Sequence, residues 1–439
     1  MKNKFIIATM CLLFFGFSIQ AQNLNKAKLD SLFQILEAKD KFMGSIAIAT
    51  NGAIIYENAI GKEDLESNKR ATTSSKYRIG SISKMFTATL IFKAIEEKKL
   101  TLNQTINQYF PAIENAQKIT ISNLLNHRSG IHNFTNNEDY LQYNTQLKSE
   151  KEMLAIIATG KSDFTPDSKA DYSNSNYVLL SYIIEKVYKK PYKVVLNDKI
   201  IKPLGLKNTY FGGKINGINN EVNSYSFEDK WIKQTETDTS IPMGAGGIVS
   251  NPQDLTVFVA QLFAAKIINQ SSLMQMKTIQ DGYGMGVFEI PFYDKKAFGH
   301  TGGIDGFSSI LAYFPADQLA IALTSNGGVY SNNDVLIATL NSYFNKPFEI
   351  PTFKTLALKS ADLEVYLGVY SSPTFPLKIT ITKDTNILMA QATGQGAFPL
   401  TATEKDKFEF AQAGIILDFK PSANEMTLNQ GGRKFVLKK

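Results

Sequence analysis

Cysteine is almost missing from this 439-residue chain: there is one, Cys11, inside an N-terminal apolar run. Past that run there is no thiol, which excludes disulfides, cysteine metal ligands and thiolate nucleophiles. Histidine is nearly as scarce, with three in all, at 127, 132 and 300. His127 and His132 stand five apart across a Ser-Gly turn, and neither His-x-His nor His-Glu-x-x-His occurs. A metal centre is therefore not expected, and no residue set points to a cofactor. The chain also lacks the Gly-x-Ser-x-Gly elbow of α/β-hydrolases and the Gly-x-x-x-x-Gly-Lys loop that cradles phosphates. It has no fixed-period repeat and no low-complexity tract, which excludes solenoids and disordered tails.

Long apolar stretches are missing too, except at the start. Phe5 to Phe17 is apolar but for Thr9 and Gly16, follows Lys2 and Lys4, and leads into Ser18, Gln20 and Ala21. It is too short to span a bilayer and reads as a signal peptide over 1–21, cleaved after Ala21. Export to the periplasm or medium is the expectation, with no membrane span left afterwards. The formal net charge is +7, and +5 once Lys2 and Lys4 are gone. Basic residues are scattered except at Lys189-Lys190, so a nucleic-acid partner is not expected.

What is present is a globular composition, 44% hydrophobic and 20% charged, at a length that suggests two or three domains. Residues 23–42 carry apolar side chains near a period of 3.6, the mark of a helix. Asn51-Gly52 separates two short apolar runs and signals a hairpin. A strand at 76–79 meets Gly80, and a helix apolar along most of its length follows over 81–97. Helices at 122–127, 150–158, 175–188 and 252–264 fill the middle, the last with Asn251 as N-cap and Pro252 at N1. Strand patterns return at 285–290, 297–300, 308–314 and 320–324, before a helix over 333–344. Strands at both ends with helices between predict an α+β domain whose sheet is assembled from both ends. After a linker at 347–360, alternating runs at 377–382, 387–391, 407–410, 415–419, 426–429 and 434–437 predict a small antiparallel β-barrel over 361–439. Such a barrel either holds an apolar ligand or packs on the first domain.

Three short stretches carry chemistry. Ser81-Ile82-Ser83-Lys84 is the one place where serine is followed three residues later by lysine, and i and i+3 share a helix face. Gly80 permits a tight turn that places the Ser81 hydroxyl at a helix N-terminus, where free N–H groups favour a developing oxyanion. Tyr172-Ser173-Asn174 supplies a phenol and an amide. A phenol beside a lysine ammonium has its anion favoured and can relay a proton. His300-Thr301-Gly302-Gly303 ends one strand candidate, with glycines that let backbone approach a ligand.

In that order and context the three stretches resemble the penicillin-recognising serine hydrolases. The branch is that of class C β-lactamases and D,D-peptidases, with their esterase and D-aminopeptidase relatives. Leu124-Leu125-Asn126-His127-Arg128-Ser129-Gly130, Pro203-Leu204-Gly205-Leu206 and Gly246-Gly247 before Ser250-Asn251-Pro252 are similar to the family as well. The resemblance implies a β-lactamase-like domain over 22–346, an antiparallel sheet flanked by helices plus an all-helical subdomain, followed by a lipocalin-like barrel. It implies that Ser81 is the nucleophile, Lys84 the amine that helps deprotonate it, and Tyr172 the general base or proton relay. Asn174 would bond both substrate and Lys84, the N–H groups of Ser81 and Gly303 would form the oxyanion hole, and Thr301 and Gly302 would contact substrate. His300 stands where β-lactamases carry a permanent cation, and a histidine is largely neutral near pH 7. That weakens β-lactam hydrolysis and moves the expectation toward an amide or ester bond in a D-amino-acid-containing or cell-wall-derived substrate. An esterase or weak β-lactamase is the near alternative, and a penicillin-binding sensor that acylates without turnover the more distant one.

Overall fold

The computed structural model describes residues 24–410, 413–430 and 433–439, so the signal-peptide expectation and Cys11 lie outside the described residues. The N-terminal helix is shorter than its periodicity implies, Lys26–Ala38, with the Asn25 side chain accepting from Lys28 N–H. Phe42, counted with that helix from spacing alone, instead opens the strand Phe42–Thr50. Asn51 and Gly52, both at positive φ, turn this strand back into Ala53–Ile60. That is the pattern of a type I′ hairpin turn.

This hairpin is one edge of a six-stranded sheet whose other strands come from the far end of the segment. The order is Phe288–Phe292, Lys295–Ile304, Phe307–Phe314, Leu319–Gly328, Phe42–Thr50 and Ala53–Ile60, antiparallel throughout. Side chains alternate across it, as the two-residue period requires. Ile310, Ala312, Ile321 and Leu323 face the helices Lys26–Ala38 and Asn332–Tyr343. Leu311, Tyr313, Ala320 and Ala322 face a larger core built on Ser83–Glu96, Asn174–Tyr188 and Pro252–Phe263. The helix Ser83–Glu96 is buried from Ser83 through Phe92, which explains its apolar length. Asn251 caps Pro252–Phe263 by accepting from Asp254 N–H.

Residues 345–359 contain neither helix nor strand, yet they are packed. Phe348 and Phe353 lie on the first core, Leu358 joins the barrel core, and Leu356 N–H donates to the Ala402 carbonyl. Eight strands from Gly368–Ser372 to Arg433–Lys438 then form a closed antiparallel barrel, sealed by pairing of the first with the last. Two of them, Gly368–Ser372 and Phe398–Glu404, have no counterpart among the alternating runs of the sequence. The interior is filled rather than hollow. Tyr366, Phe408 and Phe419 contact one another with ring centres 4.9–5.5 Å apart, surrounded by Leu388, Leu417, Met426 and Leu437. A lipocalin-like ligand therefore has no room in this core as packed.

Candidate active site

The short strand Tyr77–Arg78 runs into a 3-10 turn, Gly80–Ile82, and the turn into the helix Ser83–Glu96. The turn lies against the strand Lys295–Ile304, and glycine makes the approach possible from both sides. A Cβ on Gly302 would lie 2.1 Å from the Ile79 carbonyl oxygen and 3.0 Å from Ser81 N. Gly80 adopts φ +50, and a Cβ there would lie 2.8 Å from Gly303 N. Ser309 Oγ also donates to the Ile79 carbonyl, 2.8 Å. Two backbones without side chains between them thus bring Ser81 and Gly303 to one cleft of 470 Å³.

At Ser81 the sequence-predicted groups converge. Lys84 Nζ lies 3.0 Å from Ser81 Oγ, and Tyr172 Oη donates to the same oxygen at 2.8 Å. Lys84 also donates to Asn174 Oδ1 and to the Ala245 carbonyl, both at 2.8 Å. Asn174 opens the helix Asn174–Tyr188. Its orientation is set by Nδ2 donating to Thr135 Oγ1, whose own hydroxyl donates to Asn133 Oδ1. The Lys84 side chain is fully buried, and burial holds its amine well below its ordinary value. An uncharged amine uses two N–H groups on Asn174 and Ala245 and points its lone pair at Ser81. After taking the serine proton it becomes a three-donor ammonium with three acceptors already in place.

Burial drives the Tyr172 hydroxyl up from its ordinary value, and the hydrogen bond to Ser81 only partly opposes this. Desolvation disfavours the charged form of both partners, against the charge attraction inferred from their proximity. In the structure the Tyr172 hydroxyl is the donor to Ser81 Oγ.

His127 packs behind Tyr172 with ring centres 4.5 Å apart, and its Nδ1 accepts the Ser173 N–H at 3.2 Å. His300 is 2% exposed, lies 4.2 Å from the Phe288 ring and 6.3 Å from that of Tyr172, and donates from Nδ1 to the Thr301 carbonyl. Burial, then the nearby Lys84, lowers it to about 3, so it is neutral near pH 7. Its Nε2 is buried without a hydrogen-bond partner. Thr301 is exposed, Gly302 is covered by the nucleophile turn, and neither lines the cleft. Gly302 serves the close packing of the two backbones. Sequence reasoning missed Ala245 and Thr135. A backbone carbonyl has no side-chain signature, and the only trace of Ala245 was the glycine run beside it. Among the described residues, no group of three or more His, Cys, Asp or Glu is arranged to hold a metal.

The sequence matches the Beta-lactamase family over residues 30–341. It is 26% identical over 318 residues to a teichoic acid D-alanine hydrolase of Staphylococcus aureus, covering 70% of this chain and 76% of that protein. The fold is similar to that of a D-amino acid amidase from Ochrobactrum anthropi at 25% identity and a TM-score of 0.65, over 72% of this chain and 99% of that one. It is also similar to an octameric penicillin-binding protein homologue from Pyrococcus abyssi, at 23% identity and a TM-score of 0.67. That match covers 94% of this chain and 100% of the other, and so takes in the barrel.

Proposed function

We propose that this chain, which belongs to the Beta-lactamase family and is a serine hydrolase, is exported and cleaves an amide or ester of a D-amino acid through an acyl-enzyme on Ser81. The observation that carries the reading is the buried Lys84 amine with Ser81 Oγ, Asn174 Oδ1 and the Ala245 carbonyl as its three partners. Lys84 takes the hydroxyl proton as Ser81 Oγ attacks the carbonyl carbon. The oxyanion is held by the N–H groups of Ser81 and Gly303. As the bond to the leaving group breaks, Tyr172 gives that group its proton and is resupplied from Lys84. Water then attacks the ester on Ser81 as Lys84 takes a proton from it; the acyl carbon–Oγ bond breaks, Lys84 returns the proton to Oγ, and the acid leaves with Ser81 and the neutral amine restored.

Two relatives support a D-amino acid at the scissile bond, since one is a D-alanine hydrolase and the other a D-amino acid amidase. Against a β-lactam preference stands His300, neutral where a carboxylate-bearing drug needs a cation. Export rests on the 1–21 segment, and among the described residues no helix is long and apolar enough to cross a membrane. On the same reading the hydrolase domain runs over 22–346, the linker over 347–360 and the barrel over 361–439.

The test compares turnover of D-alanine p-nitroanilide and a p-nitrophenyl ester by the parent protein and by Ser81→Ala. A pre-steady-state burst in the parent and no turnover in the variant are expected. Equal activity in both would remove Ser81 from the mechanism.

A further inference from the structure

Tyr172 stands on a stretch that is neither helix nor strand, yet its hydroxyl meets Ser81 Oγ at hydrogen-bond distance. The residues on either side of it are tied to His127. The His127 carbonyl accepts the Asp171 N–H at 2.9 Å, and the His127 ring accepts the Ser173 N–H. The Tyr172 ring lies against that of His127, and Tyr283 meets His127 edge to face with ring centres 5.2 Å apart. Tyr283 is also 6.4 Å from the Tyr172 ring. Three rings from three separate segments thus pack on one another beside the nucleophile.

One side chain reaches both of the other segments. Arg128, next to His127, is 5% exposed. Its Nε donates to Asp167 Oδ1 at 2.7 Å and its Nη2 to the Asp167 carbonyl, while its Nη1 donates to Asp281 Oδ2. Both aspartates have positive φ, 69° at Asp167 and 50° at Asp281, as does His127 at 60°. Asp167 follows Pro166 in a turn closed by the Ser168 N–H on the Thr165 carbonyl, the pattern of a type II turn, and Tyr172 comes next in the same loop. Asp281-Gly282 is the centre of a two-residue turn in which Gln280 and Tyr283 exchange both backbone hydrogen bonds, at 2.9 and 3.0 Å. Residues other than glycine pay for this conformation and keep it where their surroundings fix it. An exposed ion pair contributes little. This one is built on a buried guanidinium whose planar fork spans two turns, a geometry that lysine cannot copy.

We infer that Arg128 is a positioning residue for the proton-donor side of the site: by pinning the turns at Asp167 and Asp281 it holds Tyr172 and Tyr283 against His127 and keeps the Tyr172 hydroxyl on Ser81. The inference rests on the acyl-enzyme reading above and gives the Leu124–Gly130 stretch a part in protonating the leaving group.

D-Alanine p-nitroanilide and D-alanine p-nitrophenyl ester place the same acyl group on Ser81 and differ only in what leaves. p-Nitrophenolate departs as a stable anion, whereas the anilide nitrogen must be protonated as its bond to carbon breaks. The ratio of kcat/KM for anilide over ester therefore reads the proton donor, and it cancels any loss of folded protein or of acyl binding. A shift of about 1 Å in a catalytic group costs up to about 10²-fold, so Arg128→Met should lower this ratio by about tenfold. Asp281→Asn keeps the turn and removes the charge on the contact; it should lower the ratio by about threefold, and add nothing when combined with Arg128→Met. The Asp281 side chain is 55% exposed, so this variant carries the test if Arg128→Met does not fold. An unchanged ratio, or an equal loss on both substrates, would overturn the inference and leave the hydrolase reading intact. Turnover of neither substrate by the parent would overturn the acyl-enzyme reading, and this inference with it.

Discussion

Replacing Lys84 with methionine separates what the buried amine does for catalysis from what it costs the fold. Lysine in the unfolded chain titrates at its ordinary value of 10.5, whereas burial holds the folded amine well below it. Between those two values folding releases one proton, so the unfolded state binds more protons and stability rises with pH. The parent's stability therefore falls as pH falls through that window, by about 1.4 kcal/mol per pH unit from this group. Methionine has a similar length and no proton, so the variant lacks that slope. It also leaves Asn174 Oδ1 and the Ala245 carbonyl without their donor, a pH-independent loss of about 1–3 kcal/mol for each acceptor left unpaired. At pH 9.5 Lys84→Met should thus be the less stable protein. On going to pH 7.5 the gap should narrow, because only the parent loses stability as the pH falls through this window. Urea unfolding at the two pH values measures this. Trp231, the only tryptophan, lies in the hydrolase part beside Phe227 and reports on that part by fluorescence without interference from the barrel. Two stability curves running parallel between pH 7.5 and 9.5 would mean that Lys84 is an ammonium in the folded protein, and the assignment of Lys84 as base would fail.

Tyr172→Phe keeps the ring against His127 and removes only the hydroxyl on Ser81; kcat/KM should fall by about 10²–10⁴-fold while the melting temperature stays near that of the parent. A fall of less than threefold would exclude the phenol as the leaving group's proton donor. Gly302→Ala and Gly303→Ala are neighbours with opposite consequences. The first puts a Cβ 2.1 Å from the Ile79 carbonyl and should cost about 2–4 kcal/mol of stability, whereas the second meets nothing nearer than 4.0 Å and should fold like the parent. Thermal unfolding of the pair checks this, and equal losses would refute the close-packing argument for Gly302.

Local signals carried much of the fold. Asn51-Gly52, the Asn251-Pro252 cap and the 3.6-residue spacing of the first helix act within a few residues, and the structure has elements at each of them. The departures have tertiary causes. Phe42 extends the helical spacing of Leu29, Leu32, Phe33 and Leu36, but pairing of Phe42 with Gly328 across the sheet takes it into a strand. Val369 and Pro399 interrupt the signal for two barrel strands, one exposed on the outside and the other unable to donate to a ladder. At the site, Ser81, Lys84, Tyr172 and Asn174 were readable as side chains with chemistry. The protonation of that group was not, because it depends on how much water burial removes, and no spacing encodes that.

The burial of Lys84 draws on elements that are far apart in the sequence. A lysine kept uncharged needs surroundings that exclude water on every side, and one helix cannot provide them. Here the helix Ser83–Glu96 supplies Lys84 itself, Asn174–Tyr188 the amide acceptor, and the glycine run Gly244–Gly247 the carbonyl. The rings of Tyr172 and Tyr177 lie 4.9 and 5.6 Å from the Lys84 Nζ, and the strand Lys295–Ile304, from the other end of the segment, brings His300 near it. A histidine suits that place because, held neutral, it adds no second positive charge beside the amine. A permanent cation at position 300 would push the Lys84 pKa further down and weaken it as a base, unless the cation's own charge were compensated by an anionic substrate. A neutral His300 is thus compatible with the proposed substrate, which brings no carboxylate to the site.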